Sequence, residues 1–162
     1  MIVEWAHRGK PTILGLASGL VAGLVAITPA AGFVGPISAL LLGAAAGVIC
    51  YMAVSVIKPK LGYDDSLDAF GVHGIGGIWG AIATGLFATV AVNSAGADGV
   101  FFGSWALLWK QFIAIGVTAV YSFVVTYILL KVINAVMGLR LEKDEEVEGM
   151  DLTQHNESGY TM

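Results

Sequence analysis

The chain has 162 residues, of which 57% are hydrophobic and only 12% charged, against about 25% charged in an ordinary soluble domain. The net charge of −4 is unevenly placed: Glu142, Asp144, Glu145, Glu146, Glu148, Asp151 and Glu157 crowd the C-terminal end. The composition excludes a soluble globular domain and a basic nucleic-acid footprint, and it describes an all-α, polytopic membrane bundle with an acidic tail.

The N-terminal stretch MIVEWAHRGKPT lacks the order of a secretory signal, because its basic residues follow the short apolar part. It reads as the last turns of a helix that begins upstream, a first sign that the chain is a fragment. Four apolar runs follow. The first covers about 11–27, with Pro11 suited to a first helical turn and Pro29 closing it. The second covers about 36–57; it opens at Pro36 and is expected to stop at Lys58, Pro59 and Lys60.

The third run covers about 67–91. Asp64, Asp65 and Ser66 precede it, with side chains able to accept orphan N–H groups and to favour the positive end of the helix dipole. It fades into VNSAGADG, a loop of turn residues. The fourth run, about 105–137, would be roughly 48 Å long at 1.5 Å per residue and must tilt or protrude. Residues 1–137 are thus the transmembrane region, and 138–162 the tail.

Orientation follows from the basic residues of the short loops. Arg8, Lys10, Lys58, Lys60, Lys131, Arg140 and Lys143 all fall on one side, while TPAAGFVG and VNSAGADGVFFGS carry no Lys or Arg. The tail and the DDS turn are therefore expected in the cytoplasm. Lys110 is the exception, and its stem can snorkel to the headgroups. Gly15, Gly19 and Gly23, then Gly43 and Gly47, then Gly76 and Gly80, place small residues four apart and predict close helix approach.

Cys50 is the single cysteine, lies in an apolar run, and reads as a small buried hydrophobe. No nucleophile and base pair and no metal-ligand set is visible, so enzyme chemistry is disfavoured and no cofactor or metal is implied. The third run is unusual in carrying Asp68 and His73 within SLDAFGVHGIGGIWG. Ionisable groups at membrane depth are costly and normally face a bundle interior or a pathway. Asp68 lies near the helix start. Counted from Leu67, His73 lies about 9 Å along the helix. Its imidazole reads either as an interhelical hydrogen-bonding group or as part of a transport route, and local sequence leaves both open. Gly71, Gly74, Gly76 and Gly77 remove bulk around the ring and would let a narrow passage, or a second helix, come against it.

Three stretches in order, VAGLVAITPAAGFVGP, LGYDDSLDAFGVHGIGGIWGA and GLRLEKDEEVEGMDLTQHNESGY, resemble the C-terminal part of the Amt/Mep/Rh ammonium transporters, of the bacterial and archaeal Amt branch. The resemblance implies an eleven-helix fold, of which this chain supplies the end of the seventh helix and helices eight to eleven. It implies homotrimers embedded in lipid of the inner or plasma membrane, with a pore in each subunit, conducting ammonium or ammonia for nitrogen uptake. It also implies a cytoplasmic C-terminus, and in prokaryotes a PII-type signalling protein at the cytoplasmic mouth.

By the same resemblance His73 occupies the FGVHG position of one of two facing pore histidines, with Asp68 and Gly71, Gly74, Gly76 and Gly77 on the supporting helix. The partner histidine, aromatic gate and outer recruitment site have no counterpart motif here, so the chain by itself is expected not to conduct. Gly149, Asp151, Thr153 and Tyr160 fall in a tail that in the family is ordered and regulatory, with Thr153 at the position of a plant phosphothreonine. Composition alone reads that tail as a solvated terminus. Two other readings stand beside the channel: an ammonium sensor on the same fold, and a membrane packing protein with no pore.

Overall fold

A computed structural model describes residues 1–158; Tyr160, assigned to the tail by resemblance, lies outside the described residues. Among the described residues seven helices follow in chain order: α1 Ile2–Arg8, α2 Ile13–Ile27, α3 Pro36–Leu61, α4 Phe70–Phe87, α5 Ala106–Val136, α6 Lys143–Glu148 and α7 Met150–Thr153. Among the described residues, α3, α4 and α5 are long and apolar enough to cross a membrane, while α2 is a shorter apolar helix of 15 residues. At about 1.5 Å per residue α2 measures about 22 Å, short of a hydrocarbon core of about 30 Å.

Two compact units divide the chain, Met1–Val117 and Thr118–Met162. In the first, α2, α3 and α4 pack through alanines. Ala26, Ala30, Leu42, Ala46 and Ala83 form one buried cluster, and Ala22, Cys50 and Val72 form a second. In lipid, apolar burial gives little drive, so close packing of small side chains and interhelical hydrogen bonds carry the association. Trp79 Nε1 donates across to the carbonyl of Leu42 at 3.0 Å, and the buried Thr84 hydroxyl donates to the Gly80 carbonyl at 2.8 Å.

Of the glycine stripes expected to make close contacts, that of α4 does so against α2 and α3, and in α2 Gly15 meets the Glu4 side chain of α1. A Cβ built on Gly80 would overlap the carbonyl oxygen of Ala26. Gly23, Gly43 and Gly47 by contrast face open space, with nothing within 4 Å of the corresponding position. Ala22, Ala26 and Ala46 sit beside these glycines and supply the buried stripes instead. Both sets recur at four-residue spacing, so periodicity alone does not tell them apart.

Several boundaries also differ from expectation. The structure caps α2 with Thr12, whose hydroxyl accepts the Gly15 N–H at 2.9 Å, and leaves Pro11 outside the helix. Lys58, Pro59 and Lys60 do not end α3. A π-turn over Ala53–Ile57 widens the helix just ahead of Pro59, which relieves the clash a proline ring makes with the carbonyl four residues earlier. The helix then runs on until Gly62 adopts φ 66. α4 begins at Phe70 and ends at Phe87, narrower than 67–91 at both ends. Beyond it the chain turns through Val90, whose N–H is held by Asp98 at 2.9 Å, and a 3-10 turn at Val100–Phe102.

In the second unit, Phe123, Val132 and Val136 of α5 are exposed, and an apolar surface all round a long helix is what a lipid-facing span requires. The acidic tail is helical in α6 and α7. Glu142 and Glu145 form a reciprocal capping box at the start of α6, placing carboxylates at the positive end of the dipole. Arg140 pairs with Glu146 at 2.8 Å.

Candidate functional site

The site is built at the junction where α3 hands over to α4. Asp65 takes the capping role the DDS turn predicted: its carboxylate accepts the N–H groups of Ala69, Phe70 and Gly71 at 2.9, 3.0 and 3.4 Å. These are orphan donors of a helix start, and a charged acceptor at that end also meets the dipole. Asp64 accepts from the Ser66 hydroxyl at 3.4 Å.

Asp68 lies outside the helix, in the left-handed region at φ 56. Its carboxylate meets Lys58 Nζ at 2.6 Å, and the same ammonium donates to the Asp65 carbonyl at 2.5 Å. The Asp68 carbonyl accepts the Val72 N–H at 2.9 Å. Sequence reading assigned Asp68 to the helix start and missed its partner, ten residues earlier, because the reversal at Gly62 that brings them together is a tertiary event.

α4 opens with a second π-turn, Phe70–Gly74, which contains His73. His73 is thus only about 6 Å beyond Ala69 along the axis, nearer the helix start than a count from Leu67 gave. In a regular helix of 3.6 residues per turn, His73 would share the packed face of Gly80, seven residues on. The structure shows otherwise. Val72 is buried at 7% exposure in the cluster with Ala22 and Cys50, while His73 is exposed. The wide turn has moved Val72 into the packed stripe and rotated the imidazole off it.

The supporting glycines divide along the same line. A Cβ on Gly71 would lie 2.6 Å from Val54 Cγ2, and one on Gly76 would lie 3.2 Å from Cys50 Sγ and 3.3 Å from Val25, so these two admit α2 and α3. Gly77 has nothing within 4 Å and belongs to the open side with His73, whereas a Cβ on Gly74 would lie 2.8 Å from the ring of Phe70. The Cys50 thiol donates to the Val72 carbonyl at 3.8 Å.

A cavity of about 880 Å³ lies on another side of the unit, with Gly19, Gly43, Gly47, Tyr51, Lys58 and Asp68 in its walls. His73 is not part of that wall. Glu4 and Thr12 also line the cavity; Glu4 is 4% exposed and accepts the Thr12 backbone N–H at 3.0 Å and hydroxyl at 2.8 Å. The backbone bond, then the side-chain bond, holds its carboxyl below the ordinary range. His7 Nδ1 and the Tyr51 hydroxyl are 2.8 Å apart. In the tail, Gly149 adopts φ 109 between α6 and α7, Asp151 lies in the first turn of α7, and the Thr153 hydroxyl donates to the Gly149 carbonyl at 3.0 Å.

Apolar helices of spanning length, packed through alanines and broken by two π-turns around a charged junction, define part of a polytopic α-helical membrane protein. The model of the Ammonium Transporter Family matches residues 1–160. An ammonium transporter of Bacillus subtilis is 54% identical over 99% of this chain and 40% of its own length. A putative ammonium transporter of Methanothermobacter thermautotrophicus is 51% identical over all of this chain and 40% of its own length. The crystal structure of Saccharomyces cerevisiae Mep2 superposes with a TM-score of 0.81 at 39% identity, covering 90% of this chain and 34% of that one. The chain belongs to the ammonium transporter family, and it spans about two fifths of the length of these curated relatives.

Proposed function

We propose that this chain forms the C-terminal wall of an ammonium-conducting route, with His73 bordering it. The observation that carries the reading is the rotation at Phe70–Gly74, which sets the imidazole on the open face of an otherwise packed helix. Gly77, four residues on, has open space around it. Stripping water from a cation in an apolar passage is costly and favours the neutral amine. An imidazole can then replace a lost hydrogen bond and relay a proton. The substrate is ammonium or ammonia, as the names of the relatives suggest.

On this reading the chain lies in the inner or plasma membrane, with α6 and α7 on the cytoplasmic side, where Lys58, Lys60, Arg140 and Lys143 also fall. The working assembly is a homotrimer in lipid, and the cytoplasmic face offers a dock for a PII-type signalling protein. Thr153 is the modification point of the tail. A phosphate there would add up to about two negative charges and take the hydroxyl from Gly149.

Uptake of labelled methylammonium by cells carrying the native gene tests the reading. His73→Ala abolishes uptake while Gly43→Ala, on an unrelated face, leaves it intact; unchanged uptake in His73→Ala overturns the assignment. One wall does not make a passage, so the 162-residue chain alone in liposomes conducts no methylammonium, and measurable flux there refutes that part.

A further inference from the structure

The two π-turns lie on either side of the Lys58 to Asp68 pair. In α3 the wide turn makes the Lys58 N–H bond to the carbonyl of Ala53, five residues back, and this shift in register sets the direction in which the Lys58 side chain leaves the helix. Its ammonium then reaches both the Asp65 carbonyl and the Asp68 carboxylate. Asp68, held at φ 56, presents its carbonyl to the Val72 N–H at the head of the second wide turn. The two turns also touch directly, at Gly71 and Val54.

We infer that Lys58 is a positioning residue for His73: its pair with Asp68 fixes the register of the Phe70–Gly74 turn, and so decides whether Val72 or His73 occupies the packed face of α4. This deepens the reading of His73 as a route-lining group and rests on it for its functional meaning. The physical argument is one of register. A π-turn has poorer geometry than the α-helix it interrupts and persists where the surroundings hold it. Asp65 caps the helix start whichever register follows. The extra residue is taken up inside the turn, where the Ile75 N–H reaches the Phe70 carbonyl five residues back; the left-handed Asp68 sets where that turn begins, and Lys58 is the group that grips it. Without the grip, α4 relaxes toward regular winding, Val72 leaves Ala22 and Cys50, and the imidazole turns toward the packed side.

The test needs no transport. The 162-residue chain in lipid nanodiscs, labelled at valine, alanine, leucine, tryptophan and histidine, gives magnetic-resonance contacts between Val72 and Ala22, with contacts between Trp79 and Leu42 as a reference deeper in the same unit. Lys58→Met is expected to weaken the Val72 to Ala22 contact several-fold and to shift the His73 ring signal, leaving Trp79 to Leu42 unchanged; Lys58→Arg retains the native pattern. Asp68→Gly keeps the left-handed backbone while removing the carboxylate, and is expected to act as Lys58→Met does. Native Val72 contacts in Asp68→Gly overturn the inference. Loss of the Trp79 to Leu42 contact in that variant overturns it too, since the pair would then hold the whole unit and not one turn. The role of His73 in transport is decided separately, by uptake.

Discussion

Gly80 of α4 sits directly on the Ala26 carbonyl of α2, so closely that a Cβ would overlap the oxygen. The obstacle is backbone, which cannot rotate away as a side-chain end can. Gly80→Ala therefore forces the two helices apart. A cost of about 1–3 kcal/mol is expected, as for overpacking, offsetting and exceeding the gain of about 1 kcal/mol in helix propensity. Thermal unfolding of the purified protein in detergent measures it, and a melting temperature at or above that of the parent contradicts the packing described.

Gly77 supplies the contrast. It lies three residues earlier in the same helix with open space around it, so Gly77→Ala leaves the fold as stable as the parent or raises its stability by up to about 1 kcal/mol. On the proposed function the same methyl narrows the space beside His73. Reduced methylammonium uptake at undiminished stability is the expected combination, and full uptake argues against a route on that face.

These two glycines show where sequence pattern stops. The GGIWG stretch announced a small-residue surface, and composition gave the apolar helices, the acidic tail and the capping DDS turn. Which small residues pack was not legible, because Ala22 and Gly23, or Ala46 and Gly47, repeat with the same period and differ only in which neighbour meets them. The wide turns were invisible for a related reason: a shift of backbone hydrogen bonds by one residue changes no composition and leaves apolar spacing nearly intact. Yet it is that shift which puts Val72 inside and His73 outside. Lys58 reads as part of a stop to the second run and Asp68 as part of a helix start, until the turn at Gly62 joins them.

Asp65 carries a separate prediction. Its carboxylate accepts three N–H groups at the start of α4, and loss of a capping side chain costs about 0.5–2 kcal/mol. Asp65→Ala should raise the amide exchange rates of Ala69, Phe70 and Gly71 well above those of Ala81 and Ala83 in the middle of the helix. Equal protection of those three amides in the variant and the parent would show that the cap is not what holds them.

Glu4 gives the fold a dependence on acid. Its carboxylate is buried against Thr12 and Gly15, and the Thr12 N–H and hydroxyl stabilise the charged form, lowering its titration below that of the unfolded chain. A carboxyl lowered on folding contributes stability that is fully present above its unfolded value and is lost as pH falls through the folded one. The α1 to α2 junction should therefore loosen on the acid side of the ordinary carboxylate range. Glu4→Gln, which retains the shape but cannot ionise, should remove this part of the acid limb, so that its unfolding midpoint varies less with pH than the parent's. Thr12→Val should bring the Glu4 titration back toward the ordinary range, by removing the hydroxyl bond while keeping the backbone one. Unfolding followed by tryptophan fluorescence across that range reads both variants, and parallel curves for Glu4→Gln and the parent would assign the acid sensitivity to other carboxyls, the crowded ones of the tail first among them.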